Sequence, residues 1–541
     1  ILSEMRDAMT PEYLDSKAIF NFVAPNTPLS TRWPLGKSET VSKMNRPLFK
    51  KYINDFYTAD RMTLVVTGDI EPKAIAAEID KHFGDLKNNT VPNAELTYRP
   101  GPAVKAAANV DAKLSMTEVS LMCLKPFDKT PDSVAAQIEG FRRRCALAMV
   151  NQRLSQTALD DKKILDLEAS WYPFIGYCDL ADLTAEGKAE DIDHLVKTLD
   201  TSIRQAITYG FTDQDITAAK ARMLQNLEKL VEADPTRKSG PMADQYTKSV
   251  GEKYVLTSAA TDLAMARTAF AKFNNDDVKA LLNKLFTTGE FRLFISTNKP
   301  VNAANVLKQY QAGTKVAVKD PRKKGAKSFA YTKFGKRGKV VATAPADKTV
   351  AKNAKALGIS MLRFKNNTRL NIKPTDFEKG RVGVVVRFGN GLLSLPKNKP
   401  GLTLFTAMTY DTGGLAKHKV MDIQQLLAGK SVSSNFSIDE DSFVLSGSTD
   451  AKNILTQMQL MCAYLTDPGF HDEALRQMQI AVPMQFAQLK TDPEGTLQTQ
   501  VMPLIHNDYR FAFPTQKQVL SRTVAESRAW LAKAQKRGYL E

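Results

Sequence analysis

A chain of 541 residues is too long for one hydrophobic core, so three or four domains are expected. Its 43% hydrophobic and 25% charged residues are those of an ordinary globular protein, and no apolar run approaches the about 20 residues of a membrane span. The net charge of +17 would suit nucleic acid, but no RNA-binding aromatic signature, zinc-finger spacing or recognition-helix motif accompanies it, so no nucleic-acid partner is expected.

Taken in chain order, residues 11–27 and 71–83 read as helices flanking a helix-to-strand unit. That unit runs from Asn45 to Thr63, with apolar Phe49, Ile53 and Phe56 at helical spacing, a break at Asp60 and a strand-like Met62 to Val66. A strand follows at Leu114 to Leu124, then a long helix from Ser133 to Thr157. The stretch Ala169 to Leu183 reads as one strand, bent or at an edge because it contains Pro173 and Gly176. Helices are expected around 189–208 and 213–233.

Residues Asn274 to Arg292 repeat the first unit without gaps, with Val278, Leu281, Leu282 and Leu285 apolar, a break at Gly289 and a strand from Phe291. Residues 300–355, rich in Lys, Ala, Gly and Pro, read as a linker. Its basic stretch, Lys319 to Lys339, is interrupted by Pro321, Gly325, Gly335 and Gly338 and is read as solvated. Hairpin signals then open a further unit: Ile359 to Phe364, the turn Asn366-Asn367, Arg369 to Lys373, and Val382 to Phe388. A helix is expected near 418–428, strands near 432–447, and helices near 450–465 and 470–490.

A third copy of the repeat, Thr523 to Glu541, carries Trp530 and Leu531 and breaks at Gly538, where a strand should begin. Both ends therefore read as cuts through a larger protein. Three copies in one register imply duplicated α+β domains, each a mainly antiparallel sheet with helices packed on it. The four cysteines, Cys123, Cys145, Cys178 and Cys462, are scattered without a C-x-x-C pair, so neither a disulfide framework nor a cysteine metal site is indicated.

Three passages carry a family resemblance. Trp33-Pro34-Leu35-Gly36-Lys37-Ser38-Glu39-Thr40-Val41, then Phe56 to Asp69, and the closing Phe83-Gly84 resemble the second half of the catalytic domain of pitrilysin/insulinase peptidases. Gly210-Phe211-Thr212-Asp213-Gln214-Asp215 is similar to a helix start in that family's next domain. Phe364 to Leu370, Tyr410 to Leu415, and Thr466-Asp467-Pro468-Gly469-Phe470 are similar to the opening half of its third domain.

The resemblance implies four homologous domains in two halves around a chamber. On that division, residues 1–97 end the first, catalytic domain and 98–299 form the second. Residues 300–355 link the halves, and 356–541 begin a third, non-catalytic domain. It also implies a zinc endopeptidase using H-x-x-E-H, in which two histidines on one helix face bind zinc and the glutamate deprotonates the bound water.

The five histidines, His82, His194, His418, His471 and His506, include no pair four residues apart, so the motif is absent from this chain. No catalytic residue is therefore assigned here, and the chain alone is expected to be inactive and to hold no zinc. The family's third ligand, a downstream glutamate, maps onto Glu4 in Ile1-Leu2-Ser3-Glu4-Met5-Arg6. His418 and Asp422, at i and i+4, are a second metal pair to check, though an exposed polar helix face is the preferred reading. The acidic run Asp439-Glu440-Asp441 reads as a solvated loop, and Gly389-Asn390-Gly391 as a turn.

The resemblance thus implies a peptide or unfolded-protein substrate, zinc in the intact parent, and a periplasmic or secreted location. A homodimer or partner subunit is left open, as is the alternative of a non-catalytic relative serving as a partner subunit or peptide-binding scaffold.

Overall fold

The structure, a computed structural model, describes residues 2–88, 96–99, 105–322, 328–491, 493–537 and 540–541. The chain divides into two compact units. The first comprises Ile1–Leu147, Glu168–Gly210 and Thr236–Lys319; the second comprises Ala148–Leu167, Phe211–Pro235 and Asp320–Glu541.

The first unit is built on a five-stranded sheet of β1 (Ala106–Val110), β2 (Thr117–Pro126), β3 (Ile164–Phe174), β4 (Cys178–Gly187) and β5 (Glu290–Thr297), in the order β1-β5-β2-β4-β3. β2 runs antiparallel to both β4 and β5, and only β1 pairs parallel, with β5. The stretch read as one bent strand is a hairpin. Ile175 and Gly176 both take left-handed φ, 48° and 66°, and reverse the chain between β3 and β4.

Successive strand residues face opposite sides, so the sheet has two unlike faces. Val119, Leu121, Cys123, Ala181, Leu183, Ala185, Leu293 and Ile295 form a buried apolar face. The helices Ile192–Tyr209 and Asn275–Thr287, the second with Val278, Leu281, Leu282 and Leu285 buried, pack on this sheet. The alternate positions are apolar at one end, with Met122, Leu124, Leu180 and Phe294 in a core that also holds Val23 and Phe174. At the other end they turn polar: Glu118 pairs across β2 with Glu186 on β4 and with Ser296 on β5.

The second unit carries a three-stranded sheet, β10-β11-β9, made of β9 (Val382–Phe388), β10 (Asn435–Ile438) and β11 (Phe443–Thr449). A smaller sheet joins β6 (Val340–Ala342), β7 (Ser360–Phe364) and β8 (Arg369–Ile372). Aromatic rings fill the core: Phe388 stacks on Phe443 at 5.4 Å, Tyr410 on Phe436 at 4.0 Å, and Trp530 meets Phe443 edge-on at 4.9 Å. The Trp530 indole N–H is satisfied by the Ser394 carbonyl and hydroxyl, 3.1 and 3.0 Å away.

The threefold repeat now has a structural meaning. After the Asn275–Thr287 helix, β5 pairs antiparallel with β2. After the Val524–Arg537 helix, Leu540 bridges Phe388 of β9 antiparallel, and the amides and carbonyls of Arg387 and Glu541 exchange hydrogen bonds of 2.6 and 2.9 Å. Gly538, where the break was expected, lies outside the described residues. The first copy differs. Its helix forms at Arg46–Phe56, capped by the Asn45 side chain, but Met62 to Val66 is not assigned to a strand and pairs with no strand among the described residues. Met62, Leu64 and Val66 are exposed, as are Phe49, Phe56 and Tyr57. A strand is defined by its ladder partner, so apolar periodicity alone does not make one.

Residues 300–355 contain the helices Ala303–Gly313 and Lys348–Ala356 as well as β6. Within the first unit, Arg204 is held by Asp200 and donates to the Gly313 and Val316 carbonyls, fastening the end of the first of these helices.

Candidate functional site

Glu4 lies in the short helix Leu2–Asp7, where Met5 is buried and Glu4 itself is exposed. The next helix, Pro11–Val23, is started by Thr10, whose hydroxyl accepts the Tyr13 amide, with Pro11 at the first helical position. Its far end is held more firmly. Arg292 of β5 is wholly buried, and its Nη1 donates to the carbonyls of Phe22 and Val23. Those are end-of-helix carbonyls with no partner in their own helix, so a cation there satisfies both hydrogen bonds and dipole. The Arg292 Nε is paired with Glu290 at 2.9 Å, and Tyr98 donates to the other Glu290 oxygen at 2.6 Å. Earlier in the same helix, Asp15 accepts from Asn109 of β1 and Ser296 of β5, at 2.6 and 2.7 Å. Glu4 is thus carried next to a helix bonded to the sheet at both ends.

The donors needed for zinc do not gather around it. Among the described residues no group of three His, Cys, Asp or Glu stands close enough to hold a metal ion. His82 contacts Glu78, one turn away on the exposed helix Pro72–Phe83. His471 meets the Leu415 carbonyl at 2.8 Å, and His506 stacks on Phe511. A single exposed carboxylate does not fit zinc, which takes three protein ligands at a catalytic site.

His418 is not on an exposed helix face. The helix begins only at Val420, so His418 and Asp422 lose the i, i+4 relation that a shared helix would give. His418 is buried, accepts the Ala330 amide through Nε2 at 2.9 Å and stacks on Phe329. It serves the core around Tyr331, whose hydroxyl donates to Asp467 at 2.7 Å.

The other sequence motifs settle as structure. Thr212 and Asp215 form a reciprocal cap on the helix Asp213–Ala233. Gly389 and Gly391 both take positive φ, and a Cβ on Gly391 would meet the Asp439 carbonyl oxygen at 2.3 Å. In the acidic loop, Asp439 pairs with Arg387 at 3.0 Å. The cysteines are free, and burial pushes the Cys178 thiol up to about 12, far from a reactive thiolate.

Sequence reasoning passed over a pair of buried acids in the sheet. Asp182 of β4 is 7% exposed, and its Oδ1 has no hydrogen-bond partner. Burial, then the Glu118 charge, pushes its carboxyl up to about 8. Glu118 is itself pushed up to about 7 by burial and by Glu186 and Asp15. The alternation Asp182-Leu183-Thr184-Ala185-Glu186 was the available signal, lost when the hairpin was read as one strand.

Fold, repeat and sheet architecture define an α+β protein of duplicated units, each a largely antiparallel sheet with helices packed on it. Residues 43–223 match the family model of the Peptidase M16 inactive domain, which bears out the family resemblance over that span. No curated protein matches the chain. Among solved structures, the ferredoxin protease FusC, determined as a mutant in complex with Arabidopsis ferredoxin, matches all of this chain at 14% identity with a TM-score of 0.61. The periplasmic protease PqqL from Escherichia coli also matches all of it, at 16% identity with a TM-score of 0.52. This chain covers 60% of each of those chains, about three-fifths of their length, and at such identity the likeness is one of fold. No helix among the described residues is long and apolar enough to cross a membrane.

Proposed function

We propose that this chain is part of a zinc-dependent metalloendopeptidase that hydrolyses peptides or unfolded proteins in a two-halved chamber. The match of residues 43–223 to the M16 inactive domain carries the reading. On it, residues 1–97 complete a catalytic domain, 98–299 form a second domain, 300–355 link the halves and 356–541 open a third. The exposed apolar face of Phe49, Phe56, Met62, Leu64 and Val66 is what an incomplete first domain would leave uncovered. Glu4 is the one zinc ligand assigned here; the general base and two histidines would lie upstream. A protein substrate is supported by FusC, whose structure contains ferredoxin, and a periplasmic location by PqqL.

A second reading is a non-catalytic relative acting as partner subunit or peptide-binding scaffold, favoured by the inactive type of the matched domain. Zinc content and peptide hydrolysis of the intact parent separate the two. The peptidase reading expects near-stoichiometric zinc, lost together with activity when the first histidine of H-x-x-E-H becomes alanine. A parent without H-x-x-E-H upstream of Glu4 refutes catalysis by this half.

A further inference from the structure

We propose that the polar end of the five-stranded sheet is a binding site for a basic side chain, lysine or arginine, of a bound peptide. The site is formed by Asp182 of β4, Glu118 of β2 and Glu168 of β3. It deepens the peptide-binding part of the reading above and requires no hydrolysis.

The geometry comes from the pleat. Glu118 and Glu186 are direct partners across β2 and β4, and Asp182 stands four residues before Glu186, on the same side. β3 is the neighbouring edge strand, with Glu168 and Tyr172 exposed. Asp15, from the Pro11–Val23 helix, closes the far side but is already spent on Asn109 and Ser296. Asp182 is buried, Glu118 half-buried and Glu168 exposed.

Two observations ask for a cation. Asp182 keeps a buried, unpartnered Oδ1, an omission folded proteins rarely make. The leading electrostatic influences on Glu118, after burial, are the carboxylates of Glu186 and Asp15; on Asp182 the leading charge is Glu118, with Glu168 adding to it. Ser120 and the Leu183 amide favour the Asp182 anion but do not offset its burial and the neighbouring charges. Asp182 and Glu118 thus hold their protons until a positive group replaces them.

A divalent metal is a poor match, because no three of these donors converge within coordinating reach. A guanidinium or ammonium, with several donors at the end of a long stem, suits carboxylates spread over neighbouring strands. The chain as a whole carries +17, so its mean field repels basic peptides and retention must come from a local acidic site.

The test is binding of a fluorescent, otherwise uncharged peptide with a single central arginine to this 541-residue chain, beside the same peptide with norleucine. The arginine peptide should bind at least about tenfold tighter, and Asp182→Asn and Glu118→Gln should each remove most of that difference. Affinity should also rise from about pH 6 to about pH 8.5 as the two acids lose protons, a dependence a merely structural role would not give. Thermal melts check folding; should Asp182→Asn fail to fold, Glu118→Gln, at a half-exposed position, carries the test. Equal affinity for both peptides, or unchanged affinity in the folded variants, overturns the proposal. So does displacement of the arginine peptide by manganese alone at lower concentration than by spermidine, which would mark a metal site. Loss of hydrolysis in the parent with binding intact would sink the peptidase reading and leave this one standing.

Discussion

Each unit holds an aspartate beside a sheet with one carboxylate oxygen lacking a hydrogen-bond partner, and the two differ in what surrounds it. In the second unit, Asp411 follows the Leu402–Tyr410 helix, and its carboxylate accepts the Phe436 amide at the start of β10. Burial pushes it up to about 6, and that backbone bond holds it back. In the first unit, Asp182 is more deeply buried, and burial, then the Glu118 charge, pushes it up to about 8. Asp411 is a joint between helix and strand, whereas Asp182 is an acid held in reserve. Depth of burial separates them first, and what faces the carboxylate adds to it.

The surrounding cores differ in the same sense, and the largest expected effects test them. Phe443 contacts Phe388, Phe436 and Trp530 in an aromatic core, so Phe443→Ala should cost about 4 kcal/mol, read by denaturant unfolding. Arg292→Ala in the first unit should cost about 3 kcal/mol, because it removes the buried ion pair with Glu290 and takes the Arg292 donor from the Phe22 and Val23 carbonyls. Adding Glu290→Gln should recover part of that loss. No recovery would mean that the ion pair matters less than the helix-end bonds.

A smaller effect reads the two aspartates directly. A carboxyl whose folded value is raised is favoured as the neutral acid. Its contribution is full below the unfolded value near 4 and is lost as pH climbs through the folded value. Asp182 should therefore drain stability up to about pH 8, and Asp411 only up to about pH 6, each by at most about 1.4 kcal/mol per pH unit. Asp182→Asn should flatten the fall in melting temperature between about pH 6 and pH 8. Asp411→Asn should leave that interval unchanged. Identical profiles for the two variants would break the distinction.

Much of the fold was legible because its signals are local. Val278, Leu281, Leu282 and Leu285 announced a helix and its buried face, and Trp530 and Leu531 the same face in the third copy. The hairpin was missed because its turn uses Ile175, a β-branched residue that seldom takes a left-handed φ. Met62 to Val66 reads as a strand, yet strand formation depends on a partner that no local pattern supplies. His418 was misplaced for a related reason: the helix starts two residues later, and the ring turns to a core built with Phe329, distant in sequence. The acidic face could be read only once β2 and β4 were in register, since Glu118 and Asp182 are 64 positions apart in the chain.

The smallest expected effect belongs to Glu4. It is exposed on a short helix, so Glu4→Gln should change the stability of this chain by no more than about 0.5 kcal/mol. The same change in the intact parent should lower zinc content and peptidase activity, since neutralising one of three protein ligands weakens the metal site. Asp182→Asn should do the reverse, altering the pH profile of stability while leaving zinc untouched. If Glu4→Gln leaves zinc in the parent unchanged, the ligand assignment fails, and the sheet's acidic face remains the functional feature carried by these residues themselves.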